Sequence, residues 1–518
     1  MTDLQGSAGR RQWLGLAVLA LPTLLVTMDL SVLFLAVPAL SRDLEPTSSE
    51  LLWITDIYGF LIAGSLITMG TLGDRIGRRR LLMIGGAAFA LASLGAAFSQ
   101  SAAMLIASRA VLGVAGATLA PSSLSLIRDL FADESQRTFA IGIWMSCFAA
   151  GAAVGPLVGG ALLESFWWGS VFLINVPVMA LMLVLAPRLL PESHSRAAGR
   201  FDVAAAALSL AAVLLVVFGI KRIAEHGFGG IAAGSILAGV AVGAAFIVRE
   251  ARTADPLIDV RLFRVPAFAA SLAAMLMATF VMAGMLLFVS QYLQLVRGMG
   301  PLEAGVWSLP AMLGSIAGSM LAPAVAARLP SGWVLVTSLG LAAFGLAILA
   351  TIGAVSALAV LIAGSLIMGV GAGAIGTVAT DLVIGTVPPE RAGAASGISE
   401  TAGELGGALG IAVLGSIGAA VYRSRVGDTL AGEATGGRAD DARETLATAL
   451  EAAGDLPASA LAAAARAFVD GFQLAALTGA ALLAAVALAA VAVLRRTGRG
   501  SSDAASGCHP TPERAAAC

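Results

Sequence analysis

Four ionisable side chains lie inside long apolar stretches of this sequence, where a charge is costly unless it meets a partner or a water-filled cavity. They are Asp29, Arg109, Glu400 and Glu404. The Arg109 guanidinium cannot lose its proton, so it must find acceptors such as backbone carbonyls or a carboxylate. Asp29 is a candidate for binding a proton or a cation, as acids in such positions usually are. The alternative for both residues is a structural role in packing and hydrogen bonding.

Glu400 and Glu404 are one helical turn apart and share a face. Two carboxylates on one apolar face do not both ionise readily, because desolvation and mutual repulsion favour the protonated acid. This pair therefore predicts a site at which an arriving cation replaces a proton. The alternative is that one of the two acids lies on a solvated or interfacial face, outside any cavity.

The remaining ionisable residues offer weaker candidates. Asp56 and Asp381 lie near the ends of apolar stretches. Asp56 could guard an entrance or lie among lipid headgroups, and Asp381 could belong to the site or cap an interface. The histidines and cysteines are few and scattered: His194, His226, His509, Cys147, Cys508 and Cys518. They predict neither a metal site nor a disulfide framework. The chain also has no GxxxxGK[ST] loop for ATP, so we expect neither a cofactor nor an enzyme.

The composition indicates what must position these residues. Hydrophobic residues make up 58% of the 518 residues and charged residues only 12%, whereas soluble domains carry about 25% charged residues. A spanning helix needs about 20 apolar residues, and such stretches recur along the whole chain. The sequence therefore predicts an all-α polytopic membrane protein with fourteen transmembrane helices. The predicted spans are 13–37, 53–72, 80–98, 102–124, 139–162, 169–189, 203–220, 230–248, 267–290, 303–327, 333–353, 358–383, 393–421 and 468–494.

The distribution of basic residues predicts the orientation. Most of the 31 lysines and arginines lie in segments that are cytoplasmic if both termini are inside, as the positive-inside rule requires. We therefore expect a cytoplasmic N-terminus at 1–12, a disordered cytoplasmic tail at 497–518, and location in the inner (plasma) membrane. The long segment 422–467 would be extracellular, either as two short amphipathic helices or as a flexible tether. The net charge of −1 suggests no nucleic-acid partner.

The segment GTLGDRIGRRRLL, from Gly70 to Leu82, carries the most specific pattern. Gly70 and Gly77 permit close helix contact and a tight turn. Asp74 can accept hydrogen bonds from a neighbouring helix terminus or pair with an arginine. The arginines hold the loop in the cytoplasm; those in the motif are Arg75, Arg78, Arg79 and Arg80.

A second glycine pattern lies at Gly151, Gly155 and Gly159, which recur every four residues and share one helix face. Pro156 removes a backbone donor and bends the helix, and Gly160 widens the smooth face. This pattern predicts a pliable surface on which two halves of the molecule can rock. Close packing of small residues is the simpler interpretation, and the two overlap because rocking needs such packing.

Together these motifs resemble the major facilitator superfamily, and within it the fourteen-helix drug:proton antiporter branch. The matching segments are GTLGDRIGRRRLL, LIASRAVLGVAGA from Leu105 to Ala117, GAAVGPLVGG from Gly151 to Gly160, MDLSVLFLAVPAL from Met28 to Leu40, LWITDIY and FLINVP. The resemblance implies two six-helix bundles, at 13–190 and 267–496, around a central cavity. It also implies two inserted helices within 191–266, a proton-relay role for Arg109, and an acid at the position of Glu400.

The resemblance further implies a proton-coupled antiporter, similar to multidrug efflux pumps of the quaternary-ammonium-resistance type. Such a protein would export lipophilic and, given the intramembrane acids, cationic drugs or antiseptics, and we expect it to act as a monomer. The alternative is a dedicated proton-coupled exporter of a self-made antibiotic or secondary metabolite. Motifs do not separate the two. A polytopic enzyme would need a catalytic cluster at a membrane face, and the sequence offers none.

Overall fold

The computed structural model describes residues 9–192, 202–226, 229–253, 260–353, 358–430, 445–451 and 457–506. Within these ranges the chain is helical and has no strands. The α-helices are α1 (Arg10–Leu44), α2 (Ser48–Ile76), α3 (Arg78–Ala97), α4 (Ala102–Leu130), α5 (Glu134–Ser165), α6 (Ser170–Leu173), α7 (Asn175–Leu189), α8 (Val203–His226), α9 (Gly230–Arg252), α10 (Pro266–Gln291), α11 (Pro301–Ala326), α12 (Ser331–Leu349), α13 (Leu358–Thr386), α14 (Ala392–Leu430), α15 (Leu446–Glu451) and α16 (Ala458–Ser506).

Thirteen stretches in the described part of the chain are long and apolar enough to cross a membrane. The shorter apolar stretch Ala204–Ile220 corresponds to the seventh of the fourteen predicted spans. The prediction of an all-α polytopic membrane protein is confirmed. One predicted span, 169–189, is divided into α6 and α7 at Ile174. Pro177 accounts for the break, because it has no N–H to donate to the Leu173 carbonyl.

Polar ends extend several helices beyond the apolar runs that predicted them. At the start of α2, Thr47 and Glu50 form a capping box, in which each side chain accepts from the other's backbone N–H. The hydrogen bond from the Thr47 backbone N–H lowers the pKa of the Glu50 carboxyl below its ordinary value. Helices α3 and α4 begin next to Gly77 and Ser101, respectively, and the Ser101 side chain accepts from the Met104 N–H. Side-chain capping thus marks the starts of α2 and α4.

Two large apolar cores hold the helices together. One is built by residues of α1 to α7, with Ile384 and Ala392 packed against it. The other is built by residues of α10 to α16, with Met145 of α5 at its edge. We call them the N-terminal core and the C-terminal core. Their helices correspond to the two bundles that the sequence predicts.

Helices α8 and α9 pack against each other and lie beside these cores. A small third cluster joins Ala205 and Ala206 of α8 to Phe268 of α10 and to Ala395 and Ile398 of α14. Further along α8, Leu210 and Leu214 press on α2 at Gly64, where a Cβ would overlap the Leu210 side chain. Helix α8 therefore contacts both α2 and α14.

The predicted external segment 422–467 contains more helix than its polar composition suggests. Helix α14 continues to Leu430, α15 spans Leu446–Glu451, and α16 begins directly after Pro457. If the segment forms two helices, the sequence places a turn between them near 454–457, and most of that stretch lies outside the described residues. Helix α16 continues to Ser506, ten residues into the segment 497–518 for which the sequence predicts a disordered tail. Extending an existing helix adds a hydrogen bond per residue without a new nucleation cost.

Candidate functional site

A buried ion pair occupies the N-terminal core. Arg109 of α4 donates through Nη1 to Asp29 Oδ2 of α1 at 3.0 Å, and their side chains are 0% and 2% exposed. The structure thus brings together two of the charges that the sequence placed in separate spans. Burial this deep without solvent demands a partner for each charge, and the pair supplies it.

Two further helices complete this cluster. The Tyr58 ring of α2 lies 4.9 Å from the Arg109 guanidinium carbon, a cation–π distance, and the Tyr58 hydroxyl donates to the Val26 carbonyl at 3.1 Å. Asn175, the first residue of α7, donates through Nδ2 to Asp29 Oδ1 at 3.4 Å. Among the described residues, Arg109 Nε and Nη2 have no hydrogen-bond partner. The guanidinium therefore keeps donors for groups beyond Asp29.

The acids of α14 lie on the side of that helix that faces α2. Gly393 and Gly397 are in backbone contact with Gly70 and Leu66 of α2. Glu400 and Glu404 continue the same helix face at spacings of three and four residues. Both predicted acids therefore lie along the boundary between the two cores.

Glu400 and Glu404 differ in burial. Glu400 is only partly exposed, and its Oε1 is buried with no hydrogen-bond partner in the described ranges, whereas Glu404 is exposed. On α2, a Cβ added at Gly59 would meet no described atom within 4 Å. The two helices thus touch at Gly70 and Gly393 and separate toward Gly59 and Glu404. The buried carboxyl oxygen makes Glu400 the better candidate for proton or cation exchange.

Asp74 joins the two cores at the end of the molecule where α2 ends and α14 begins, here called the Asp74 end. Its Oδ1 and Oδ2 accept from the backbone N–H groups of Gly393 and Ala394, each at 3.0 Å. Arg78 donates to Asp74 Oδ1 through Nε and Nη2, at 3.0 and 2.9 Å. Asp74 therefore does both things that the sequence allowed: it caps a neighbouring helix and pairs with an arginine.

Arg78 extends this network. It donates through Nη1 to Asp129 Oδ2 of α4 at 2.9 Å and through Nη2 to the Pro389 carbonyl. Arg79 instead ties α3 to the end of α7, donating to Glu192 Oε2 at 3.3 Å and to the Leu190 carbonyl at 3.0 Å. Arg75 is half-buried in the last turn of α2. The arginines of one motif thus serve different contacts.

The motif glycines are explained by the same contacts. A Cβ on Gly70 would overlap the Gly393 carbonyl, and one on Gly393 would overlap the Gly70 carbonyl. Gly77 has φ +109° at the turn between α2 and α3, a conformation that side-chain-bearing residues rarely adopt. The turn and the close approach predicted from Gly70 and Gly77 are both present.

Asp381 lies in a second contact between the cores. Arg137 of α5 donates through Nε to Asp381 Oδ1 at 2.7 Å, and the Thr138 hydroxyl donates to Asp381 Oδ2 at 2.7 Å. Nearby, Arg128 donates to the Ile384 carbonyl at 2.6 Å. Asp381 therefore lies in the contact between the two cores, and its partners are Arg137 and Thr138 rather than Glu400 and Glu404. Asp56 is half-buried on α2, two residues before Tyr58.

Two of the α5 glycines are in close contact with α1. Cβ atoms on Gly151 and Gly159 would overlap Thr27 and Val32 of α1, so both residues face a helix of the same core. Gly155 is buried, Gly160 faces open space, and the Pro156 side chain lies outside the described residues. The close approach of α5 to the C-terminal core occurs instead at Gly142, against the Ser319 carbonyl of α11. The sequence missed Gly142 because an isolated glycine forms no pattern.

Comparisons with known proteins identify this arrangement of helices and motifs. The Major Facilitator Superfamily profile matches residues 19–411. The chain belongs to this superfamily. The crystal structure of the human organic anion transporter MFSD10 (TETRAN) shares the fold with a TM-score of 0.61 at 16% identity, covering 91% of this chain and 99% of that one. The protein is therefore a multi-pass membrane transporter rather than an enzyme, as the motifs predict.

Several curated members of the superfamily resemble the chain over most of its length. The multidrug efflux pump LfrA of Mycolicibacterium smegmatis is 44% identical, over 87% of this chain and 89% of that protein. The methyl viologen resistance protein SmvA of Salmonella typhimurium is 37% identical, over 78% and 82%. The tetracenomycin C resistance and export protein of Streptomyces glaucescens is 35% identical, over 82% and 79%. These relatives support the resemblance to the drug-antiporter branch.

Some residues that take part in these contacts could not be recognised from the sequence. Asn175 and Tyr58 are neutral, so neither stands out in an apolar span as a charge does. Arg137 and Asp129 lie near helix ends, where charges are ordinary. Asn175 could have been noticed as an amide within the FLINVP segment, since a buried amide needs hydrogen-bond partners.

Asp74→Ala is expected to lower kcat by about tenfold or more while substrate affinity changes little. The substitution removes acceptors from two backbone N–H groups and from Arg78, and each hydrogen bond to a charged group contributes about 1.5–3 kcal/mol. Transport kinetics and direct binding to purified protein would separate the two effects. The control is Asp133→Ala, which removes an acid that caps α5 within one core by accepting from Gln136 N–H. An equal loss of binding would show a role in binding or misfolding.

Asp381→Asn is expected to alter turnover severalfold and leave the substrate affinity unchanged. The variant loses the charge that faces Arg137 but keeps an acceptor for Thr138, which weakens the contact between α5 and α13. Binding and transport of tetraphenylphosphonium, a lipophilic cation, would test this. Loss of cation binding in correctly folded protein would show that Asp381 belongs to the substrate site instead.

Proposed function

We propose that this transporter exports lipophilic, cationic drugs or antiseptics in exchange for protons, with both termini in the cytoplasm of the plasma membrane. In this orientation the Asp74 end is cytoplasmic, and the two cores diverge toward the outside at Gly59 and Glu404. Export then requires the cores to exchange this arrangement for one that opens at the Asp74 end. Members of the superfamily generally need no cofactor, and the proton gradient would supply the energy.

The observation that carries the proposal is the Glu400 carboxyl at the boundary between the cores. Its Oε1 is buried without a protein partner in the described ranges, which is unfavourable for an ionised carboxylate. A bound proton or a bound cation removes this cost. The two therefore compete for one group, and such competition couples their movements in opposite directions.

The relatives support the substrate class. Their names assign multidrug efflux to LfrA and methyl viologen resistance to SmvA, and methyl viologen is an organic cation. The shared family and the similarity over most of the chain support the same substrate class for this protein. The second candidate is a dedicated exporter of a self-made antibiotic. It is favoured by the resemblance to the tetracenomycin C resistance and export protein.

The proposal is tested with cells that express the protein and are loaded with tetraphenylphosphonium. We expect efflux that exceeds the vector control and collapses when a protonophore dissipates the gradient. Efflux that survives the protonophore would remove proton coupling. Export of a native metabolite, with no export of any tested cation, would favour the dedicated exporter.

A further inference from the structure

Asn175 is the uncharged member of the cluster around Asp29, and its contacts link three helices. Its Nδ2 lies 3.4 Å from Asp29 Oδ1 and 3.2 Å from Ser93 Oγ of α3. The residue is 1% exposed. Its side-chain amide thus ties the Asp29 carboxylate of α1 to α3 and α7.

The two oxygens of Asp29 have different donors. Oδ2 accepts from Arg109 and Oδ1 accepts from Asn175, so the carboxylate is held from two sides. The hydrogen bond from Arg109 restrains only one of the two oxygens. The amide of Asn175 restrains the other and so fixes the orientation of the carboxylate more tightly than the arginine alone.

The position of Asn175 in the chain reinforces this role. It is the first residue of α7, immediately after the break at Ile174. The first turn of a helix has N–H groups without intrahelical acceptors and a partial positive charge. The break therefore places an amide and a helix start beside the acid. An uninterrupted helix would not provide this helix start.

We propose that Asn175 is a positioning residue that holds the Asp29 carboxylate in place beside Arg109 during coupled export. The inference rests on the proposed function, because it assigns a role within the proton-exchanging cluster. The charged or titratable groups that face Asp29 are Arg109 from α4 and Tyr58 from α2. The other helices packed on α1, namely α5, α6 and α7, carry charges only near their ends or none. Glu404 of α14 acts on Tyr58 electrostatically.

The test measures tetraphenylphosphonium transport by purified protein in liposomes, at a fixed proton gradient and a series of pH values. Asn175→Leu keeps the side-chain size and removes the donor, and Asn175→Ser is too short to reach Asp29. In both variants the pH profile of transport is expected to differ from the parent profile, with its midpoint displaced by about one unit, because the Asp29 carboxylate loses a hydrogen bond. Asn175→Gln keeps an amide donor and is expected to stay closer to the parent protein.

Ser170→Ala is the matched control. Ser170 is a buried polar residue of α6 in the same core, with no hydrogen-bond partner for its Oγ among the described residues. It should keep the parent profile. Profiles of Asn175→Leu and Asn175→Ser that coincide with the parent would overturn the assignment, even if their kcat falls. If Asn175→Leu does not fold, the pH profile of Asn175→Ser tests the assignment. A parent protein without gradient-dependent transport would overturn the proposed function together with this inference.

Discussion

Replacing Glu400 by glutamine is expected to abolish the proton release that accompanies cation binding. Under the proposed function an arriving cation displaces the proton from the buried carboxyl group, whereas glutamine has no proton to give up. The lost charge should also weaken cation binding by about 10–100-fold, since interactions with a charged group contribute about 1.5–3 kcal/mol. Proton release is measured with purified protein in weak buffer on addition of tetraphenylphosphonium.

The pH dependence of binding gives an independent measure of the same exchange. Because protons compete with the cation, affinity in the parent protein should rise as pH rises through the titration of the exchanging acid. This rise should be absent in Glu400→Gln. Glu404→Gln tests the exposed neighbour, and Glu303→Gln is the control for loss of an exposed acid of α11 that lies away from the pair. Unchanged proton release in both the Glu400 and Glu404 variants would leave Asp29 as the main candidate.

Asp29→Asn is expected to abolish export of cationic compounds and to destabilise the protein. Arg109 would keep its charge at a fully buried position, and breaking a buried ion pair by removing one partner costs about 3–5 kcal/mol. The protein should still insert into the membrane, because insertion depends on the apolar spans. Efflux assays and the Tm of detergent-purified protein measure the two effects separately.

The double variant Asp29→Asn, Arg109→Gln distinguishes coupling from stability. Two neutral amides can hydrogen-bond each other in place of the charges, so the Tm should recover much of the loss. Export should not recover, because neither residue can then carry a charge or a proton. Normal export by the Asp29→Asn variant at normal expression would remove Asp29 from the mechanism.

The sequence predicted the spans well because one physical quantity, the length of an apolar run, decides whether a helix can cross a bilayer. It predicted the ends less well. Capping at Thr47 and the polar extension of α16 to Ser506 depend on local hydrogen bonds and on continuation of a helix already formed. Pro177 could have predicted the break at Ile174, although a proline inside an apolar run does not always end a helix.

The candidate site was predicted as a set of residues but not as an arrangement. A charge in an apolar span is conspicuous, so Asp29, Arg109 and Glu400 stood out. Their grouping was not predictable, because contacts such as Asp74 with Gly393 join residues 319 positions apart. Sequence spacing gives neighbours along one helix and carries no information on which helices pack together. The neutral Asn175 was missed for the opposite reason: its role arises only from its neighbours.

The boundary between the two cores is covered differently on the two sides of the transporter, because α8 packs on one side only. Helix α8 packs on α2 at Gly64 and on α14 at Ala395 and Ile398, so it covers that side of the boundary between the cores. On the other side, α5 meets α11 directly at Gly142. Toward the lipid, the boundary between the cores is therefore closed in two different ways: by an inserted helix on one side and by direct contact of the two cores on the other.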